Sequence, residues 1–153
     1  HHIKANLLSL NLGYKTDQFD WIKSLTAGLD IVSGDDSKTD ELEGFSKYFG
    51  ARHKHHGYYD YSSHKRYFGH AHEGLQELNL KGKFNFLASS NLLVAMHSFS
   101  SHDGITKYGN ELDLIIKRKV SDELSSEFGL VFYDPEVGDD LLTFMYVMFT
   151  ANL

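Results

Sequence analysis

The chain has 153 residues, a formal net charge of −6, one proline and no cysteine, which is enough for one domain. A general nucleic-acid role is disfavoured because phosphate binding needs a concentrated basic surface, and the absence of cysteine excludes disulfides and thiolate metal sites. No apolar run reaches the roughly 18 residues of a membrane helix. The mean hydropathy of −0.36 is nevertheless compatible with membrane strands, which are apolar only at every second position.

An alternation of period two predicts seven strands along the chain. The clearest alternation places Leu112 and Leu114 on one face of a strand and Glu111 and Asp113 on the other. The same pattern of one apolar and one polar face recurs with different clarity in the other segments. In chain order, the predicted strands cover residues 4–15, 21–33, 78–86, 91–101, 111–120, 124–132 and 141–153.

The lengths of these strands and of their connections favour a membrane barrel. Several strands exceed ten residues, whereas strands of soluble domains usually have about five or six and a tilted membrane strand needs about nine to eleven. The connections near Thr16, Leu87 and Ser121 are short, and those over residues 34–73, 102–109 and 134–140 are longer and polar. Strict alternation of short and long connections is typical of periplasmic turns and extracellular loops. The sequence therefore predicts a transmembrane antiparallel up-and-down β-barrel, with a long extracellular loop at about 34–73.

The number of strands predicts that the chain is the C-terminal part of a larger barrel. If the short turns are periplasmic, the last strand ends in the periplasm and the first begins outside the cell. Bacterial single-chain barrels have an even number of strands, and an open sheet edge is not tolerated in lipid. The remaining strands are therefore expected upstream of this chain, and its other partners would be outer-membrane lipid and lipopolysaccharide.

Five segments in order resemble the alginate-export family of outer-membrane porins. They are AGLDIVSGDD at 27–36, HKHHGYYD at 53–60, GLQEL at 74–78, HSF at 97–99 and GNELDL at 109–114. The resemblance implies a monomeric barrel of many more strands in the outer membrane of a Gram-negative bacterium, and passive passage of a small or polymeric polar solute. The loop residues that carry the motif are Ser33, Gly34, Asp35, His53, Gly57 and Asp60.

The polar face of the predicted strands would line the channel. It carries both signs of charge, so the sequence predicts a porin for small polar or anionic solutes and does not specifically favour export of alginate or another polysaccharide. No cofactor, no catalytic residue and no nucleic-acid partner is expected. The predicted pore-lining residues are Asp30, Glu77, Lys81, Lys83, His97, Glu111, Asp113, Lys117, Lys119 and Glu127.

Six of the ten histidines fall within residues 53–72. Imidazole binds zinc, copper and nickel, and the pairs His53-x-His55 and His70-x-His72 could each present two ligands on one face of an extended segment. The spacing fits no defined zinc motif. A solvated extracellular loop without specific metal binding is the favoured interpretation.

Two further classes of protein stay open. In a barrel hydrolase, Ser98 or Ser100 near His97 would be the nucleophile, but neighbouring residues of a strand point to opposite faces, so Ser98 and His97 form no dyad. In a soluble lipocalin-like barrel that binds a small ligand, the charged face would be exposed and the apolar face would form the core. Strand length, the order of connections and the motif series favour the porin over both.

Overall fold

The computed structural model describes residues 2–36, 38–45, 56–59, 73–138 and 140–152. Seven strands form one antiparallel sheet in chain order, so the predicted all-β up-and-down arrangement is confirmed. No helix long and apolar enough to cross a membrane occurs among these residues. The strands are β1 (Leu7–Lys15), β2 (Ile22–Val32), β3 (Leu75–Asn85), β4 (Ser90–Ser100), β5 (Lys107–Lys119), β6 (Leu124–Pro135) and β7 (Leu142–Ala151).

Several strand ends differ from the sequence prediction, and β1 begins at Leu7 rather than at residue 4. β3 begins at Leu75 rather than at residue 78, β5 begins at Lys107 rather than at 111, and β6 continues to Pro135. The added residues of β3, β5 and β6 join the sheet because backbone groups pair with the neighbouring strand whatever the side chains are. A bulge between Phe99 and Ser100 accommodates the early start of β5.

The prediction that short and long connections alternate strictly is therefore wrong. The connections 16–21, 101–106 and 136–141 all have the same length, and 86–89 and 120–123 are only slightly shorter. Only the connection 33–74 is long. Below, the sheet end that carries this connection is called the loop end, and the opposite end is called the turn end.

Residues that face each other across neighbouring strands share one side of the sheet, so the register divides the sheet into two faces. One face, here called the apolar face, carries mostly aliphatic and aromatic side chains in its middle rows, and many of them are exposed, such as Leu12 at 81% and Met145 at 64%. Two complete rows across it are Tyr14, Leu25, Gly82, Val94, Leu114, Leu130 and Met145, and Leu12, Ala27, Leu80, Met96, Leu112, Phe132 and Thr143.

The opposite face, here called the polar face, holds the buried core, which lies at its loop end. Val32, Leu75, Phe99, Tyr108 and Tyr133 form this core. The Tyr133 hydroxyl donates to the Tyr108 carbonyl at 2.9 Å, and the Tyr108 hydroxyl donates to the Gly74 carbonyl at 3.1 Å. Parts of the long connection pack against the core, so the loop end of the polar face is covered.

Candidate functional site

The register brings all ten predicted pore-lining residues to the polar face. Asp30 lies opposite Glu77, His97 lies opposite Glu111, and Lys117 lies opposite Glu127. The remaining four follow at alternate positions of the same strands. Their common face is thus observed, and their lining of a pore stays a prediction. The two signs of charge are separated along the strands. Most of the acidic residues lie near the loop end, and the lysines lie toward the turn end.

Glu77 is the centre of a buried network. Its side chain is fully buried, and its Oε2 lies 2.5 Å from His56 Nδ1. Its Oε1 lies 2.7 Å from His97 Nδ1 and accepts a hydrogen bond from the Asn79 side-chain amide at 3.0 Å. One carboxylate of β3 therefore connects β4 to the long connection.

Two more carboxylates extend the network to both sides. Asp30 Oδ2 is 3.7 Å from His56 Nδ1, and Asp113 Oδ2 is 3.1 Å from His97 Nε2. The second contact has the separation of an ion pair but not the angle of a hydrogen bond, since neither of its atoms has an aligned partner. Asp30, His56, Glu77, His97 and Asp113 are called the carboxylate–histidine cluster below.

Glu111 attaches the long connection to the sheet. Its Oε1 accepts hydrogen bonds from the backbone amides of Tyr58 at 2.5 Å and Tyr59 at 2.9 Å. Gly57 precedes them with φ of +78°, and a Cβ there would overlap the Glu111 carboxylate. The glycine of the HKHHGYYD segment is thus required by both its backbone conformation and its close approach to the sheet.

Aromatic side chains of the same segment pack onto β6 and β7. The Tyr58 ring stacks on Tyr146 at 6.2 Å between centroids, and the Tyr59 ring stacks on Tyr133 at 5.6 Å. Burial raises the pKa of Tyr58 above its ordinary value, so this hydroxyl stays neutral. The Tyr146 hydroxyl in turn donates to Glu127 at 2.5 Å. Residues 56–59 therefore lie across the polar face, from β2 and β3 to β7.

The SGDD motif organises the start of the long connection. The Ser33 hydroxyl donates to the Glu43 carbonyl at 2.6 Å and accepts the Asn6 amide at 2.9 Å. Asp35 Oδ1 accepts the amides of Glu43 at 2.8 Å and Gly44 at 3.4 Å. The described part of the motif thus folds the connection back on itself, with Gly34 at its middle. The motif residues His53 and Asp60 and the metal candidates His55, His70 and His72 lie outside the described residues.

The turn end of the polar face is basic and open. Lys83 is exposed, Lys117 pairs with Glu127 at 2.6 Å, and Lys119 pairs with Asp122 at 2.5 Å. A cavity of about 250 Å³ is lined by Lys81, Lys83 and Tyr58 among others, and one of about 320 Å³ by Lys117, Arg118 and Lys119 among others. Apart from the pair of Lys117 with the buried Glu127, the lysines of this half lie at cavities or are exposed.

Sequence reasoning missed the partners that hold the cluster together. Alternation singled out Glu77, His97 and Glu111. It predicts which side of the sheet a residue faces, but not which residue of the neighbouring strand lies opposite, so the contacts among these three could not be predicted. His56 stood out only as one of six clustered histidines, and Asn79 was not singled out. Ser98 and Ser100 lie on the apolar face, away from the His97 ring.

The chain matches no protein-family model, and no curated protein or solved structure is similar enough to count as a match. The fold and the geometry of the polar face are therefore the basis for the proposals that follow.

Proposed function

We propose that this chain is part of an outer-membrane porin, with its apolar face in contact with lipid and its polar face lining a passive channel. The observation that supports this most strongly is the reversed burial of the two faces. Leu80 and Met96 are about half exposed on one face, while Glu77 and Asp113 are fully buried on the other. A soluble sheet buries its apolar face, and soluble monomers rarely expose continuous apolar patches beyond a few hundred Å².

The dimensions of the apolar face support the same proposal. The strands have between 9 residues in β1 and 13 in β5, and a tilted membrane strand needs about nine to eleven. On β1 to β3, apolar side chains recur in four successive rows, from the row of Ile22 and Phe84 to the row of Leu10, Leu29 and Leu78. Rows two residues apart are separated by about 6.8 Å, so the apolar band extends about 20 Å along the strands.

Aromatic rings at the turn end fit the interface between lipid and water. Trp21 and Phe84 stack with 6.0 Å between ring centroids, and Phe19 lies 6.4 Å from Trp21. Trp21, Phe19 and Phe86 are each at least half exposed. Barrels of the outer membrane carry such aromatic girdles where the apolar band meets the headgroups.

A closed barrel is the only arrangement in which a sheet can cross a membrane, because unpaired backbone groups are costly in lipid. β1 and β7 are the two edges of the described sheet. We therefore propose that further strands join β1 to β7 in a larger barrel, as the resemblance to the alginate-export porins implies.

The distribution of charge on the polar face favours anionic solutes. Glu77 and Asp113 face histidines and Glu111 binds backbone amides, so these buried carboxylates are not open to a solute. The exposed charges nearest to open space are lysines, and a lysine-lined path attracts anions. Small polar anions are the proposed solutes, and a carboxylated polysaccharide of the alginate type is a more specific member of this class.

The test uses the full-length protein as its gene encodes it. We expect it in the outer-membrane fraction of the cell, migrating differently on gels before and after boiling in detergent, and conducting ions steadily across a planar bilayer with a preference for anions. The matched control is the same protein boiled before reconstitution, which should not conduct. Recovery of the folded protein in the soluble fraction would contradict the proposal, and a membrane-inserted protein without conductance would contradict its channel activity.

A further inference from the structure

The carboxylate–histidine cluster contains three donors in an arrangement suited to a metal ion. Asp30 of β2, His56 of the long connection and Glu77 of β3 each offer one ligand atom, and these atoms all lie within 4.8 Å of one another. His56 Nδ1 is 2.5 Å from the Glu77 carboxylate and 3.7 Å from the Asp30 carboxylate. Zinc held at about 2.0–2.2 Å in a tetrahedral site separates neighbouring donors by about 3.4 Å. Small rotations of the side chains would reach that spacing.

The surroundings of Glu77 resemble the support that metal-binding carboxylates receive in proteins. The Oε2 atom faces His56, whereas the Oε1 atom is bound by His97 at 2.7 Å and by Asn79 at 3.0 Å. His97 is in turn placed by Asp113 and by the stacked ring of Phe99. Groups that bind a ligating carboxylate orient it and hold its other oxygen, so one oxygen of Glu77 stays directed at the site.

The charges around the site also call for a cation. Asp30, Glu77 and Asp113 have no ion pair with a lysine or arginine within the described ranges, and only two imidazoles face them. The side chain of Asp113 is fully buried without an aligned hydrogen bond, and one Asp30 oxygen is buried without any. Buried carboxylates are costly unless paired or bound to a metal. A divalent cation would supply the missing positive charge.

We propose that Asp30, His56 and Glu77 bind one divalent transition-metal ion of the zinc class, which fastens the long connection to the wall of the sheet. One imidazole and two carboxylates suit zinc and its first-row neighbours, whereas calcium and magnesium prefer oxygen donors alone. The site differs from the histidine pairs that the sequence suggested. It depends only on the geometry of the cluster, and not on transport.

The experiment is a calorimetric titration of the purified, metal-stripped full-length protein with Zn²⁺, repeated with Co²⁺, whose visible absorption reports nitrogen and oxygen ligands. We expect one saturable site in the unaltered protein. Asp30→Asn and Glu77→Gln should each weaken it by more than about tenfold, because each removes the charge of a ligand. His97→Gln should weaken it by about 10- to 100-fold, as loss of an outer partner does.

The double variant His53→Ala/His55→Ala is the matched control, since it removes histidines near His56 in sequence without touching the three ligands. It should retain the site. Circular dichroism establishes that each variant keeps its strand content. If Glu77→Gln does not fold, Asp30→Asn alone tests the metal site, because its carboxylate is less buried. No saturable binding, unchanged binding in Asp30→Asn, or loss of binding only in the double control variant would overturn the proposal.

Discussion

The two faces of β5 differ in burial, in the opposite sense to the faces of a strand in a soluble sheet. Glu111 and Asp113 are almost fully buried, while Leu112 and Leu114, which alternate with them, are partly exposed. In water this distribution would disfavour folding for two reasons. Apolar surface would stay exposed, and charged groups would lose their hydration. The distribution becomes favourable when the outward solvent is lipid and the inward charges have partners. This distribution of burial is what supports the proposal that the apolar face contacts lipid.

A second difference runs along the polar face. Toward the loop end, carboxylates bind histidines and backbone amides and are covered by residues 56–59. Toward the turn end, Lys81 and Lys83 line a cavity and Lys83 is exposed. One half is closed by the long connection and the other is open. A channel built this way would restrict passage at the loop end and attract anions at the turn end.

The largest expected effect tests the apolar face. Leu112→Arg places a charge in the middle of the outward rows and should cost about 2–4 kcal/mol of folding free energy in lipid, as arginine does at a bilayer midplane. The measurement is urea unfolding of the full-length protein in vesicles, followed by tryptophan fluorescence.

Asn110→Arg is the matched control, on the same strand and the same face but nearer the loop end. It should cost less than Leu112→Arg, because it lies at the edge of the apolar rows, and the cost of arginine falls toward about 0–1 kcal/mol near the interface of the proposed bilayer. Equal costs for the two substitutions, or a gain in solubility without loss of stability in Leu112→Arg, would mean that this face meets water.

The next effect concerns the closed half of the polar face. Glu111→Ala removes the acceptor for the Tyr58 and Tyr59 amides, and each such hydrogen bond contributes about 0.5–1.5 kcal/mol net. We expect a loss of about 2 kcal/mol in the local stability of residues 56–59. Hydrogen exchange at these two amides should then become roughly thirtyfold faster, since 1.4 kcal/mol is about a factor of ten.

Two variants show whether that effect is specific. Glu111→Gln keeps an acceptor oxygen and should lie between Glu111→Ala and the unaltered protein. Asp122→Asn removes an exposed carboxylate at the turn end and should leave exchange at Tyr58 and Tyr59 unchanged. If Glu111→Ala exchanged as slowly as the unaltered protein, the long connection would not be held by this carboxylate.

Much of the sheet could be predicted from the sequence because period-two alternation is a direct consequence of strand geometry. Alternation in residues 111–120 assigned Glu111 and Asp113 to one face and Leu112 and Leu114 to the other, as observed. The same signal could not place the start of β5 at Lys107, because the residues there pair through backbone groups and do not alternate. Connection lengths inferred from side-chain polarity were wrong for the same reason.

From the sequence, only the face of the sheet that carries the candidate site could be predicted. Glu77 and His97 were assigned to the polar side, but their contact depends on the register between β3 and β4, which a single strand does not encode. His56 and Glu77 are 21 residues apart in the sequence, and no sequence pattern relates their positions. Gly57 had a visible signal within the HKHHGYYD segment, and the close approach to Glu111 explains why glycine is needed there.

The smallest expected effect tests the open half of the polar face. Replacing Lys81 and Lys83 together by glutamine removes two positive charges that line one cavity. In high-dielectric surroundings a charge contributes about 1 kcal/mol at about 4 Å and less at greater distances, so the preference for anions should fall a few-fold. The measurement is the reversal potential across a bilayer with a salt gradient. The difference between the variant and the unaltered protein should shrink at high salt because the charges are screened.

Lys38→Gln replaces an exposed lysine of the long connection and is the control, which should leave the reversal potential unchanged. An equal shift in both variants would indicate a general surface-charge effect and would remove the distinction between the open half and the rest of the protein.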